Sequence, residues 1–476
     1  MRAWSVAAHA ATLQARIGGS GAMAGLRVSY AVRAVGEIGV LASGDATPTE
    51  GGFSSAVALP TAPLWTPEHP NLLVAELSLT RGDEVLDRLS VRFGLRRVEC
   101  TPSGFLLNGE RFLLRGYGDD YTFPVELAAP ASVEFWRKYL LRRKEFGFNG
   151  VRHHSTMLGE SYLTAADEVG VLVQPELPIA YQPFFDNAPP EARRLYRVVW
   201  EAYIKQMRNH PSVFSWCMGN ELYQGLPIGQ ELYDAAKRLD PTRPVIDTDG
   251  GPGAMSRPTL DYHSVQFNEW VLPWGSNREK YAQNDLTRPV IVHEMSNLSV
   301  LPDPADIPLY HGAIRPFWLQ QMADQVQRRG LWDKLPAMLQ ASRKLQASII
   351  KLNIESARLG PCVDGYHQWL FRDYWTQSTG FVDQFDRTRE ITPELARRFN
   401  GEVALLWDRD RVNYRCGEAV PVRLMLSDYR PGQAPALDTV EVTLDDSHAT
   451  LQPPEAVGGR GLVGPWTGEL AVPGLT

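Results

Sequence analysis

Between Phe112 and Leu370 one grammar repeats: a short apolar run stops at a polar or charged residue, and a stretch with helical period follows. Eight runs fit it: Phe112 to Gly116, Phe148 to His153, Val171 to Glu176, Val213 to Asn220, Pro244 to Asp249, Leu260 to Phe267, Pro289 to His293 and Asp364 to Leu370. Continuous apolar runs of this length suit strands buried on both faces, and the helices between them are the crossovers that parallel pairing requires. Helices are expected at Ser132 to Phe146, with Phe135, Tyr139 and Leu140 on one face, and at Tyr162 to Val169, Glu191 to Arg208 and Gln230 to Leu239. A largely helical insertion from Pro316 to Arg358 precedes the last run. Eight β/α units over roughly 300 residues predict a closed (β/α)8, or TIM, barrel with insertions, because about 250 residues is typical. A doubly wound open sheet is the competitor, and it explains fewer of the polar residues at the strand ends.

At 476 residues the chain is too long for one core. Residues 1–98 carry β-rich runs at Leu26 to Val32, Phe53 to Leu59, Leu72 to Leu79 and Val85 to Phe93, parted by turn residues. They predict an N-terminal immunoglobulin-like β-sandwich. Within it, Pro63 to Leu72 is a Pro-rich segment whose Trp65 reads as prone to exposure. Residues 99–402 form the barrel domain, and residues 403–476 return to β character at Val420 to Leu426 and Thr439 to Leu444, a partial C-terminal β-sandwich. The net charge of -7 and the lack of clustered Lys and Arg exclude a nucleic-acid binder, which must neutralise phosphates. No apolar stretch reaches the ~20 residues a bilayer span needs, and residues 1–20 lack the basic start and apolar core of a signal peptide. The compartment is not encoded. Cys100, Cys217, Cys362 and Cys416 make no metal-like spacing and read as isolated thiols, Cys217 buried.

In a barrel the strand C-termini converge on one rim, so residues there approximate an active site. They are Asp119, Asp120, Arg152, His153, His154, Glu176, Asn220, Glu221, Asp247, Asp249, His263, Gln266, His293, Glu294, His367 and Trp369. Glu221 follows the fourth run and Glu294 the seventh. Two carboxylates from opposite sides of a barrel suit glycoside hydrolysis, in which one protonates the leaving oxygen and the other stabilises or attacks the anomeric carbon. A metal centre is the rival. Adjacent His153 and His154 would face opposite ways on a strand, and neither HxH nor HExxH occurs, so no metal is expected. The chemistry proposed requires no cofactor.

Four stretches carry a family resemblance. Pro63-Leu64-Trp65-Thr66-Pro67-Glu68-His69-Pro70-Asn71-Leu72 resembles the end of an immunoglobulin-like domain, and Phe105 to Gly116 the approach to a barrel. Asn209-His210-Pro211-Ser212 through Gly219-Asn220-Glu221 resembles an acid/base strand, and Arg288-Pro289-Val290-Ile291-Val292-His293-Glu294 a nucleophile strand. Together they resemble glycoside hydrolase family 2, which includes β-galactosidases, β-glucuronidases and β-mannosidases, over about residues 20 to 405. The resemblance implies Glu221 as acid/base, Glu294 as nucleophile, Asn220 as partner of the sugar 2-hydroxyl, Arg152 beside the nucleophile and Trp369 as the floor of the sugar site. Arg152 would keep Glu294 ionised, and the carboxyl groups would stand ~5 to 5.5 Å apart. It further implies that the family's N-terminal sugar-binding domain is missing and that the last domain is cut.

The departures direct the substrate expectation. Where the family often reads Gly-x-Asn-Arg-His-Glu, this chain reads Gly116-Tyr117-Gly118-Asp119-Asp120, an acidic pair that would repel a uronate, and no Asn-x-Lys occurs to hold one. A tyrosine that orients the nucleophile is not evident in Ser264 to Trp270, where His263 or Gln266 is the substitute. Asp120 and His153 complete the expected substrate contacts. The expectation is a retaining, exo-acting β-glycosidase on a neutral, β-galactosidase-like sugar, with a carbohydrate ligand, no nucleic-acid or membrane partner, and room for a homo-oligomer. The alternatives are a non-catalytic carbohydrate-binding barrel and an endo-acting β-glycanase. The inserted helices, with Trp318 and Trp332, read as a wall that closes a pocket and so favour exo action.

Overall fold

The computed structural model describes the chain apart from residues 1, 5–8, 19–22, 50–51, 181–188, 223–227, 252–258, 267–286, 361, 410, 412, 431–438, 455–460 and 473–476. Its centre is a ring of short parallel strands: β1 (Leu114–Asp119), β2 (Gly150–His153), β3 (Leu172–Gln174), β4 (Trp216–Cys217), β5 (Val245–Ile246), β6 (His263–Gln266), β7 (Val290–Met295) and β8 (Gly365–Gln368). Six of them pair in the order β3-β2-β1-β8-β7-β6, and β4 pairs with β5. The two sets meet twice. Val173 bridges Val213 and Glu176 bridges Cys217 on one side, and on the other the Asp261 N–H donates to the Val245 carbonyl at 3.0 Å. The closed barrel expected from the repeating grammar is the result.

Around it lie α1 (Val133–Glu145), α2 (Glu160–Val169), α3 (Pro190–Met207), α4 (Gly229–Leu239), α5 (Phe317–Arg328), α6 (Leu335–Leu359) and α7 (Pro393–Asn400). The Ser132 hydroxyl caps α1 by accepting the Phe135 N–H, and Arg142, Arg143 and Lys144 in the last turn face the negative end of its dipole. Its buried residues are Trp136, Tyr139, Leu140 and Arg143, so Trp136 takes the place expected of Phe135, which is only partly buried. No helix among the described residues is long and apolar enough to cross a membrane.

The lower barrel is packed by Leu114, Leu172, Phe214, Cys217, Ile246, Tyr262 and Ile291, with Phe105 and Trp65 closing its base. Trp65 is a correction, since its side chain is fully buried and its Nε1–H donates to the Asp167 carbonyl at 2.9 Å. The turn after α2 explains this placement. Gly170 sits at φ 76 against Pro67, where a Cβ would lie 2.3 Å from the Pro67 carbonyl oxygen. The Pro-rich segment is therefore clamped under the barrel. Beyond it, a four-stranded antiparallel sheet (Val40–Ala46, Leu26–Ala34, Leu73–Arg81, Glu84–Phe93) packs on a three-stranded one (Arg2–Trp4, Ala10–Ala15, Phe53–Ala58) around Leu13, Val28, Val32, Phe53, Leu73 and Phe93. At the other end, Val403–Trp407, Ala419–Asp428 and Gly461–Ala471 form an antiparallel sheet, and the hairpin Val440–Leu444 with Ser447–Leu451 joins its core around Trp466.

The segments before and after β8 together line a polar cavity of about 420 Å³, with Tyr310 and Trp318 from before it and Trp375 and Phe385 from after it. Its described lining includes neither Glu221 nor Glu294, so the wall expected of Trp318 belongs to this separate cavity, and Trp332 is 44% exposed.

Candidate active site

The pleat of β2 decides which of its polar residues enters the barrel. Side chains alternate along a strand, and Arg152 points inward, fully buried. Its Nε donates to Glu176 Oε2 at 2.9 Å, Nη1 to Glu294 Oε1 at 2.8 Å and Nη2 to Asn220 Oδ1 at 2.5 Å. The rigid guanidinium fork thus ties together residues that follow β3 and β4 with one near the end of β7. Burial works against its charge, but Asp249, Glu176 and Glu294 outweigh it and raise its proton affinity further.

Glu221 and Glu294 share an uncommon backbone, with φ of 49° and 41°, in the left-handed region that L-residues other than Asn and Asp seldom occupy. Such strain costs on the order of 1–3 kcal/mol and persists where the surrounding structure imposes it, often at functional sites. Here the surroundings are specific. The Glu221 N–H donates to the Asp249 carbonyl at 2.9 Å, and Arg152 holds the Glu294 carboxylate. Burial pushes the Glu294 carboxyl up, but His293, Arg152 and His154 outweigh it and hold it below the usual range. One oxygen of Glu221, one of Glu294 and a ring nitrogen of His293 all lie within 4.8 Å of one another. An approach within that limit suits a nucleophile and acid/base pair, whose carboxyl groups stand ~5–5.5 Å apart, better than the ~6.5–9.5 Å that leaves room for a water in single displacement.

Beneath the glutamates lies Asp249, just past β5 and fully buried. It accepts from Ser264 Oγ at 2.5 Å, His293 Nδ1 at 2.7 Å and Gln174 Nε2, with Arg152 Nε at 3.4 Å. Burial pushes its carboxyl up, yet Arg152, His367 and His293 hold it well below the usual range. His293 presents its other nitrogen, Nε2, to both glutamates, 3.5 Å from Glu221 and 3.4 Å from Glu294. Burial lowers the ring's affinity for a proton, but Glu294, Asp249 and Glu221 outweigh both burial and Arg152 and raise it to about 9. Glu221, His293 and Glu294 have the donor atoms a cation needs, as do Glu176, Cys217 and Asp249, where Arg152 already supplies the charge.

The opposite wall comes from the ends of β1 and β8. Trp369 is 5% exposed and packs its ring against His154, centroids 4.7 Å apart at 83°. His154 Nδ1 donates to Asp120 Oδ1 at 2.5 Å, and its Nε2 lies 3.9 Å from Glu294. The Tyr374 phenol is pushed up by burial and by the charges of the Asp120 and Glu294 carboxylates. Gly118 makes room for this wall: a Cβ there would lie 2.4 Å from the Trp369 ring.

Of the residues expected at the site, the structure brings together Glu221, Glu294, Arg152, Asn220, Asp120 and Trp369. His153 is a correction. Its ring leaves the barrel on the face opposite Arg152 and packs edge-on to Tyr121 and Tyr162 at 5.0 and 4.7 Å, where burial lowers it to about 3 and keeps it neutral. His263 is another, because it alternates with Tyr262 and Ser264, whose hydroxyls bond Gln174 and Asp249 inside the barrel. Asp119 also turns outward, accepting from the Tyr139 hydroxyl at 2.5 Å and the Tyr121 N–H at 2.8 Å, so only Asp120 of the acidic pair faces the site. Asp247 accepts from Thr259 Oγ1 at 2.6 Å, away from the cluster. Gln266 ends β6 opposite His293 in register, but its side chain and Phe267 to Trp270 lie outside the described residues. Asp249, His293 and His154 stood among the strand-end residues without an assigned role. Tyr374, in the loop after β8, had no signal of its own.

Comparison with known proteins identifies a family and a similar fold. The profile described as "Glycosyl hydrolases family 2, TIM barrel domain" matches residues 98–329, and the one described as "Glycosyl hydrolases family 2" matches residues 7–96. A beta-galactosidase of Thermoanaerobacter pseudethanolicus is 33% identical over 183 residues, which is 38% of this chain and 24% of that protein. A beta-glucuronidase of Paenibacillus borealis is 28% identical over 208 residues, 41% of this chain and 35% of that protein. The matched stretches thus span about a quarter to a third of these relatives' length. In fold, the chain is similar to an FMN-binding beta-glucuronidase from Facaelibacterium prausnitzii L2-6, with a TM-score of 0.64 at 19% identity, over 99% of this chain and 69% of that one.

Proposed function

Because the chain belongs to glycoside hydrolase family 2, we propose that it removes a terminal β-linked sugar with retention of configuration, Glu294 acting as nucleophile and Glu221 as acid/base. The observation that carries this reading is the approach of the two carboxylates, from the ends of β4 and β7, to within 4.8 Å. Glu294 attacks the anomeric carbon while the bond to the leaving oxygen breaks and Glu221 gives that oxygen its proton. A water deprotonated by Glu221 then displaces Glu294 from the same carbon. Arg152 keeps the nucleophile ionised and aimed. Because Asn220 Oδ1 is taken by Arg152, its amide N–H groups are turned toward other partners, and the sugar 2-hydroxyl is the one proposed. Trp369 supplies an apolar face for the ring.

A neutral sugar, galactose-like, is the proposed substrate. Asp120 accepts hydrogen bonds from sugar hydroxyls and opposes a uronate carboxylate. A β-glucuronide is the second reading, favoured by the His154–Asp120 bond, in which the imidazole shares the carboxylate's charge. A panel of aryl β-galactoside, β-glucoside, β-mannoside and β-glucuronide separates the two. In Glu221→Gln and Glu294→Gln, kcat is expected to fall by about 10³-fold. Glu294→Ala with azide is expected to release a glycosyl azide of inverted configuration, and full activity in either Gln variant would remove the assignment.

A further inference from the structure

His293 is not explained by the two-carboxylate reaction, which needs no third group between its acid and its nucleophile. It sits immediately before Glu294 on β7, is 1% exposed, and meets anions at both ring nitrogens. Nδ1 faces Asp249 Oδ1 at 2.7 Å, while Nε2 faces Glu221 at 3.5 Å and Glu294 at 3.4 Å. A neutral imidazole carries only one N–H, so it would aim a lone pair at the ionised Asp249 from Nδ1 or at the ionised Glu294 from Nε2, whether or not Glu221 holds its proton. The positive groups nearby do not remove that conflict. Arg152 Nη1 lies 3.3 Å from Nδ1, farther than Asp249, and donates to Glu294 at 2.8 Å. His154 approaches Glu294 from the other side, 3.9 Å away, and His367 Nδ1 lies 3.5 Å from the far oxygen of Asp249. Glu176 is bound to Arg152 and Ser155.

We propose that His293 is a positioning residue for the proposed hydrolysis: as an imidazolium, it bridges Glu221 and Glu294, holds them at the double-displacement spacing and keeps the nucleophile ionised. Gly250 fixes the ring in place. It sits at φ 72, and a Cβ there would lie 2.4 Å from His293 Cδ2. The raised proton affinity of the ring, to about 9, and the place of His293 as the foremost attraction lowering Glu294 agree with the geometry.

The inference rests on the proposed function, and its test has two arms so that the two can fail separately. The first is nitrogen-15 NMR of the full chain labelled at histidine, which reads charge without turnover. Both ring nitrogens of His293 are expected to show imidazolium shifts at pH 7, with a midpoint near 9 that falls in Glu294→Gln. A neutral ring at pH 7 overturns the proposal. The second is the pH profile of kcat/KM in His293→Asn and His293→Gln on the substrate that the wild type turns over. Removing the cation beside Glu294 raises its pKa, so the acidic limb is expected to move up by about one pH unit, the low end of what an adjacent charge supplies. A limb that stays in place in folded variants overturns the positioning role, even if kcat falls. A charged ring that responds to Glu294→Gln in a protein that hydrolyses no glycoside keeps the charge bridge and removes the hydrolytic reading.

Discussion

Asn209-His210-Pro211-Ser212, which leads into β4, contributes charge pairing without touching the glutamates. His210 Nδ1 donates to Asp167 Oδ2 at 2.6 Å, and Nε2 lies 3.2 Å from Glu160. Burial lowers the imidazole's proton affinity, but Asp167 and Glu160 outweigh it and raise it to about 9. A histidine whose folded pKa is raised contributes stability that is fully present below its unfolded value, about 6.5, and is lost as pH rises through the folded one. The Tm is therefore expected to decline between pH 7 and 10, and His210→Gln should lower it at pH 6 and flatten that decline. An unchanged slope in thermal melts would remove the assignment. At this scale the sequence places Glu221, Glu294, Arg152 and Asn220 on the rim because each stands where an apolar run stops. It picks His153 rather than His154 as a substrate contact, because the inward residue depends on where β2 ends, and a sequence does not show that end. The strand stops at His153, and the chain turns His154 toward Asp120.

Among the elements, β1 and β8 show how a strand end shapes a sugar floor. Gly118 has an ordinary φ, so Gly118→Ala brings no backbone strain, yet its methyl group would enter the space of the Trp369 ring. The expected outcome is a protein that still folds, with Tm lowered by the ~1–3 kcal/mol of overpacking and kcat/KM reduced by about 10²-fold, the scale of a 1 Å misplacement. Wild-type kinetics in that variant would show that Trp369 does not floor the site. All eight strands were legible as apolar runs with polar ends, because strands buried on both faces carry little else. The sandwich strands Ala10–Ala15 and Val40–Ala46 were not, since the first buries only Ala11 and Leu13 and the second, with Ala, Ser and Gly among its residues, buries none.

Across the whole molecule, the sandwich and barrel are joined by backbone capture. Arg96, 4% exposed, donates through Nε to the Pro211 carbonyl at 2.9 Å and through Nη2 to the Val213 carbonyl at 2.6 Å, at the foot of β4. Trp65 and Gly94 pack in the same seam, where a Cβ on Gly94 would meet the Pro211 ring. Arg96→Met keeps the apolar stem and removes the donor of the Pro211 carbonyl, while Arg243 Nε still donates to the Val213 carbonyl at 2.8 Å, so it should cost about 2 kcal/mol, read from denaturant unfolding. A loss below about 0.5 kcal/mol would mean that the seam is held by packing alone. Trp65 was misread as exposed because a Pro-rich stretch looks like a surface loop until a second domain is folded against it. The same limit hid the Asp249–His293 pair, whose partners come from β2, β3, β6, β7 and β8 and from the residue pair that follows β4.

The central claim, that Glu294 forms a covalent glycosyl intermediate while Glu221 handles the proton, is tested most directly by trapping. The chain is treated with the activated 2-deoxy-2-fluoro form of whichever aryl β-glycoside it hydrolyses, and the protein is then analysed by peptide mass spectrometry. A gain of one fluorosugar on the peptide carrying Glu294, absent in Glu294→Gln, is the predicted result. Attachment to a different residue in a protein that turns over the parent glycoside would contradict it.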